Sequence, residues 1–532
     1  MRKIVMAAIA FSLLATAANA AGYNVTISTD PTSNETLSHG TYTATGPDAV
    51  LNVGDLKAAL ATGDLTVTTG TTGTEQGDLV VANNIKWSAN KLTLYAAHSI
   101  IVHAAIKASA TAGLGLMVGY GGSGGDLIFD TGVATFADTS ETLTINVVPF
   151  TLVSTISSLS ADISGNPSGN FALAKSITST VTYGRPPIPT TFSGTFEGLG
   201  NKITNLTISD TVHENTGLFV TLGTTGIIRN LTLANMDVSN STNTDVGGLV
   251  AVNQGLVSNV LVGGQVSDAG GDAAGIAAFN LGTVENSRSI ATSSITTTTT
   301  GVAGGLVAYN GTGGTIVSSS ASGTVSDTVG GTIGGLVGIN SSSTSSITTS
   351  FATGDVTGIG YSGGLVGNNI GSISVAYATG DVTGGGSSQH DVGGLVGHNT
   401  GTIQNTYARG NATGGASANV GGLIGYSSNA TAGSIALSYS TGVPAGSTGS
   451  SVGGLVGFDA GTDSFSNTYW NTTSSGITDL TQGAGNVASD PGITGLSGAQ
   501  LRSGLPAGFD PAVWIETAGI NNNFPYLIAL SP

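Results

Sequence analysis

Asp355 and Asp381 have types and surroundings that suggest chemistry. Each sits in the same hexapeptide, Ala-Thr-Gly-Asp-Val-Thr. In adjacent coils of a stacked β structure they would lie about 5 Å apart, the separation of a retaining pair of glycosidase carboxylates. The next copy carries Asn411 instead, and no arginine or lysine recurs beside the pair. The two therefore read as surface acids generated by repetition. A β-helix polysaccharide-degrading enzyme using them is the alternative reading.

The six histidines are His39, His98, His103, His213, His390 and His398. His390 and His398 flank one glycine motif with Asp391 between them, so a metal held between two turns is conceivable. Solvated turn residues are the plainer reading. Gly121 to Phe129 fits a calcium-binding nonapeptide with Asp126 as its acid. That chemistry needs tandem copies sharing each ion, and a single copy reads as an ordinary coil turn. There is no His-Glu-x-x-His zinc motif and no cysteine. No catalytic, cofactor-binding or metal residue is assigned, and no cofactor is expected.

The elements that would position such residues are marked by glycine. A Gly-Gly-aliphatic tripeptide returns down the C-terminal half, its second glycine at Gly248, Gly305, Gly335, Gly364, Gly394, Gly422 and Gly454. Weaker copies at Gly217 and Gly275 complete a series spaced 27 to 32 residues apart. A fixed period of this length marks a solenoid. Within each repeat, short β-branched runs alternate with Gly, Asn and Ser, and no segment carries an extended helical period. The expected fold is all-β: a right-handed parallel β-helix with about one coil per repeat, preceded by shorter coils. One coil cannot offset its own ordering entropy, so it folds only on a neighbour.

Two columns follow from the period. Asn253, Asn280, Asn310, Asn340, Asn369 and Asn399 each stand five residues beyond a second glycine. They read as a stacked turn, using the amide's tolerance of left-handed backbone and its capacity to form ladders. Phe351, Tyr377, Tyr407, Tyr439 and Tyr469 form the second column, read as stacked rings, with an exposed sugar-gripping stripe as the sharper alternative.

Composition agrees with a folded, exported body. Charged residues are 8% of the 532, where about 25% is usual, and there are 84 glycines. Lys and Arg number 13 against 30 Asp and Glu, a net charge of −17. Arg2 and Lys3 precede an apolar run from Ile4 to Ala15, then Ala18-Asn19-Ala20, which reads as a secretory signal peptide over 1–20. Its removal takes the charge from −17 to −17 − 2 = −19. A negative surface argues against nucleic acid and anionic membrane as partners. No later stretch reaches the ~18 apolar residues of a spanning helix, so no membrane insertion is expected.

The repeats resemble the GLUG motif of large bacterial surface exoproteins and of some immunoglobulin-A-cleaving metallopeptidases. Ser362-Gly-Gly-Leu-Val-Gly-Asn-Asn and Val392-Gly-Gly-Leu-Val-Gly-His-Asn carry the likeness. The strand pair from Phe192 to Ile208 looks like a usual lead-in. Asn467-Thr-Tyr-Trp470 and Asn523-Phe-Pro-Tyr-Leu527 look like usual closing segments. Gly77 to Ile106 is similar to shaft repeats of filamentous haemagglutinin-like adhesins, which are exported by two-partner secretion.

These resemblances imply a secreted or surface-exposed, adhesin-like protein, the periplasm being a further location and an inactive passenger fragment of a larger exoprotein a further alternative. It would bind glycan or protein receptors on cells or matrix, with an outer-membrane transporter as export partner. The expected organisation is a signal at 1–20, an N-terminal cap at 21–64 with a short helix at 55–60, and haemagglutinin-like coils at 65–148. A connector at 149–190, the repeat solenoid at 191–470 and a closing segment at 471–532 follow.

Overall fold

The computed structural model describes residues 22–120, 124–242, 245–290, 294–297, 300–386, 390–428, 434–461 and 464–531. The signal peptide expected at 1–20 lies outside them. From Val25 to Leu496 the described residues form a parallel β-solenoid, with antiparallel pairs at Glu35–Ser38 with Thr41–Ala44 and at Thr142–Ile145 with Val148–Val153. Its N-terminal stack has three strands per coil, as in Leu79–Val81, Ile85–Trp87 and Lys91–Tyr95, repeated at Ile100–Val102, Ile106–Ala108 and Gly113–Met117. Alternating aliphatics make these strands, so Leu79, Val81, Ile100 and Val102 point inward and are fully buried.

Coil structure begins earlier than the sequence suggests. Val25–Ser28 pairs in parallel with both Ala49–Asn52 and Leu79–Val81, so residues 22–64 are part of the stack rather than only a cap on it. The expected helix is present at Val53–Leu60, capped by the Asn52 side chain and burying Leu56 and Leu60. Residues 149–190 are likewise structured: Val148–Val153 pairs with Asn170–Leu173, and Ile156–Gly165 is a helix between them.

The repeat region has three faces. Two are nine-stranded parallel sheets, from Asn215–Thr216 to Ser451–Gly453 and from Phe219–Leu222 to Val456–Asp459. The glycine motif is the corner between them. Its aliphatic residue, such as Leu306, Leu336 or Leu365, turns into the core and is fully buried. Close approach between coils explains the second glycine. A Cβ on Gly364 would stand 2.1 Å from the Gly394 carbonyl oxygen and 3.0 Å from the Ala378 methyl.

The third face carries longer strands, such as Ser346–Ala352, Ser372–Ala378 and Thr402–Ala408. One residue per coil bends this face through left-handed backbone: Asn230, Asn259, Asn286, Ser318, Thr349, Val375, Asn405, Leu437 and Asn467, with φ between 48° and 55°. The two stacks meet at Glu197, which is fully buried, accepts from Arg229 Nε at 2.7 Å and Asn230 Nδ2 at 2.9 Å, and is raised in pKa by that burial. Asn230 Nδ2 also donates to the Leu127 carbonyl of the N-terminal stack.

Closure is double. Ile493–Leu496 pairs with Phe465–Asn471. The chain then turns back, and residues 497–531 run along the third face as a strap.

Candidate functional site

The asparagine column is a ladder. Asn253, Asn280, Asn310, Asn340, Asn369 and Asn399 are fully buried, and each Nδ2 donates to the next Oδ1 at 2.7, 2.7, 2.9, 2.8 and 2.8 Å. The left-handed part of the expectation is corrected. These residues end extended strands such as Val337–Asn340 and are not among those with positive φ. The left-handed file is the other one, on the third face. Its signal was present in Asn230, Asn259, Asn286, Asn405 and Asn467, but Ser318, Thr349, Val375 and Leu437 hide it.

Asp355 and Asp381 are neighbours, as their repeat position requires, yet each carboxylate is tied to backbone. Asp355 Oδ1 accepts the Asp381 N–H at 2.9 Å, and Asp381 Oδ1 accepts the Asn411 N–H at 2.8 Å. Asn411 continues the series by accepting the Val443 N–H at 3.0 Å. The acid and the amide thus do the same job, which is to hold successive coils together. Asp126 of the nonapeptide accepts its own neighbour's Leu127 N–H at 2.7 Å and lies 4.0 Å from Arg229 Nη1; residues 121–123 lie outside the described ones.

The tyrosine column stacks as expected. Ring centroids are 4.8 Å apart for Phe351–Tyr377 and Tyr377–Tyr407, and 5.3 Å for Tyr407–Tyr439. An exposed sugar-gripping stripe is excluded, because the strap covers it. Trp514 lies against Tyr407 and Tyr439, and its Nε1 donates to Asn405 Oδ1 at 3.0 Å. The Tyr439 hydroxyl donates to the Pro525 carbonyl and accepts from Asn521 Nδ2. Burial pushes the Tyr377, Tyr407 and Tyr439 phenols well above their usual range.

A different file remains half-exposed. Residues one position before the ladder asparagines from Asn280 on, and before Ser427 and Asp459 in the two following coils, point outward from their sheet and are in register: Phe279, Tyr309, Ile339, Asn368, His398, Tyr426 and Phe458. Centroids are 4.6 Å apart for Phe279–Tyr309, 4.8 Å for His398–Tyr426 and 5.6 Å for Tyr426–Phe458, and Tyr361 stacks on His398 at 4.7 Å. Each stands four residues beyond a second glycine, a constant offset that could have revealed the file. Face-to-face stacking leaves ring edges toward solvent, so the file is a narrow apolar ribbon with a positive quadrupole rim.

The histidines are corrected from solvated turn residues. His390 is buried. His398 Nδ1 lies 2.8 Å from Asp391 Oδ2, and Asp391 Oδ1 accepts from Asn419 Nδ2 at 2.8 Å. An aspartate therefore holds the ring in the file. Among the described residues, no three His, Cys, Asp or Glu side chains are placed to hold a metal ion.

Fold and site together define a parallel β-solenoid with glycine corners, whose candidate site is a flank rather than a pocket. No protein-family model matches the chain. A 76-residue stretch, 14% of the chain, is 38% identical to Halomucin of Haloquadratum walsbyi (strain DSM 16790 / HBSQ001), and spans 1% of that protein's length. Two solved structures are similar over longer stretches. One is named for an immunoglobulin A1 protease of Bacteroides ovatus: TM-score 0.35, 16% identity, covering 72% of this chain and 93% of that one. The other is named IgA1 Protease: TM-score 0.32, 21% identity, covering 55% and 23%. Overlaps this loose carry no argument about activity.

Proposed function

We propose that this chain is a secreted or surface-exposed, non-enzymatic solenoid of the GLUG-motif kind. It binds host, cell-surface or matrix components through its rigid flank and is exported with the help of an outer-membrane transporter. The observation that carries the reading is the half-exposed file from Phe279 to Phe458. Strands hydrogen-bonded on both sides hold these rings, so little side-chain freedom is lost on binding. The aspartates that a glycan-cleaving reading would use, Asp355 and Asp381, each spend one carboxylate oxygen on a backbone N–H of the next coil.

Purified mature protein applied to arrays of glycans, matrix proteins and fixed cells tests the proposal. Binding that weakens about tenfold or more in a His398→Ala, Tyr426→Ala variant supports it. Absence of binding throughout, or new reducing ends in mixed glycans, overturns it.

A further inference from the structure

A second recognition feature lies on the third face, remote in sequence from most of the ring file. The strands Ile227–Asn240 and Leu256–Asp268 pair in register until Leu233 meets Val262, then resume with Met236 opposite Gly264. One extra residue has been inserted on the first strand, a β-bulge. Asn235 takes left-handed backbone at φ 51° and Gly264 lies at φ 140°. A side chain at position 264 is impossible, since its Cβ would stand 2.1 Å from the Met236 carbonyl oxygen. The bulge leaves a shallow, open cleft lined by Asn235, Met236, Asp237, Gly264 and Gln265.

Asn230, Asn240, Asn259 and Asp268 on the same two strands are engaged with other protein groups. Asn235, Asp237 and Gln265 are exposed, and among the described residues no side-chain hydrogen bond or ion pair engages them. Two exposed carboxamides and one exposed carboxylate thus border the cleft, none of them engaged by another protein side chain.

We propose that this bulge cleft is a binding site for a neutral saccharide bearing vicinal hydroxyls. The inference rests on reading the flank as a recognition surface and names a ligand for it. A carboxylate accepts from two adjacent hydroxyls, and each carboxamide donates to one oxygen while accepting from another. Acidic ligands are repelled by Asp237 and by the net charge of −17. A calcium ion needs six to eight oxygens where one carboxylate is present. The lining offers no aromatic wall for an apolar ligand.

The test uses the full mature chain on an array of neutral and acidic glycans. Titration of the strongest neutral oligosaccharide against variants follows. Asp237→Ala with Gln265→Ala is expected to weaken binding about tenfold or more, because the ligand hydroxyls lose charge-assisted partners. Asn235→Gly, which keeps the left-handed backbone and deletes only the amide, is expected to weaken it several-fold. Gln404→Ala, an exposed amide elsewhere on the face, leaves it unchanged, and all variants melt with the parent.

Neutral-glycan binding that survives both cleft variants removes the site but leaves flank recognition standing. Binding to matrix proteins or cells with no neutral-glycan signal overturns the ligand class alone. No binding to any surface overturns this proposal and the functional reading together.

Discussion

At the scale of residues, the molecule repeatedly uses one polar side chain to satisfy the coil beside it. Asn340 accepts from Asn310 and donates to Asn369, all three fully buried. Asn340→Ala strands a buried donor and a buried acceptor, and is expected to cost about 2–5 kcal/mol in denaturant unfolding. Thr349 is a β-branched residue held at φ 48°, where asparagine is far more comfortable. Thr349→Asn should therefore stabilise by about 1 kcal/mol in the same assay. Val375 and Leu437 bear the same backbone strain but pack against the strap's apolar cluster, which offsets it.

Buried carboxyls, Glu35, Asp245 and Asp272 among them, shift stability with pH. Burial pushes Glu35 and Asp272 up to about 7 and Asp245 up to about 6, with Asp245 and Asp272 directly paired between coils. A carboxyl whose folded pKa is raised stabilises the fold while both states are protonated. That contribution is full below about pH 4 and is lost as pH rises toward 7. The melting temperature should thus be higher at pH 5 than at pH 8. Asp272→Asn keeps an oxygen for the Val302 N–H, now 3.0 Å away. It should raise the pH 8 value by about 1–3 °C while changing little at pH 4.

At the scale of elements, the strap was the least legible part. Its contacts join residues about a hundred positions apart, Trp514 to Asn405 and Tyr439 to Pro525, and none of them repeats. Periodicity shows only what recurs. It exposed the tyrosine column, but not the 497–531 segment that covers it. Asn523-Phe-Pro-Tyr-Leu527 looked like a closing signal, and its Phe524, Tyr526 and Leu527 are indeed buried, on the flank rather than over the last coil. A chain ending at Leu496 should keep its β circular dichroism while exposing Tyr377, Tyr407 and Tyr439. The expected readouts are strong binding of a hydrophobic dye and phenol titration returning toward pH 10. Unchanged dye binding would mean that the strap does not cover the column.

At the scale of the whole molecule, the solenoid and its files were readable because a thirty-residue unit must stack, and stacking places like beside like. The buried ladder, the glycine corners and the Asp355–Asp381–Asn411 series all follow from that requirement. The half-exposed ring file keeps the repeat's offset but not its residue type, and the bulge cleft keeps neither. Ile339 and Asn368 interrupt the rings, and the bulge is a single extra residue in one coil pair that no period records. The two surfaces proposed for recognition sit where the repeat is broken or free to vary, so a repeat-based reading finds the scaffold before them.

Asparagines of successive coils touch through their side chains, and a double-mutant cycle measures this directly. Asn310→Ala, Asn340→Ala and the double variant would be unfolded in denaturant, with Asn310→Ala, Asn399→Ala as the distant control. The ladder predicts a coupling of about 1–2 kcal/mol for the adjacent pair and additivity for the distant one. Additive costs at 310 and 340 would contradict the register on which the whole description rests.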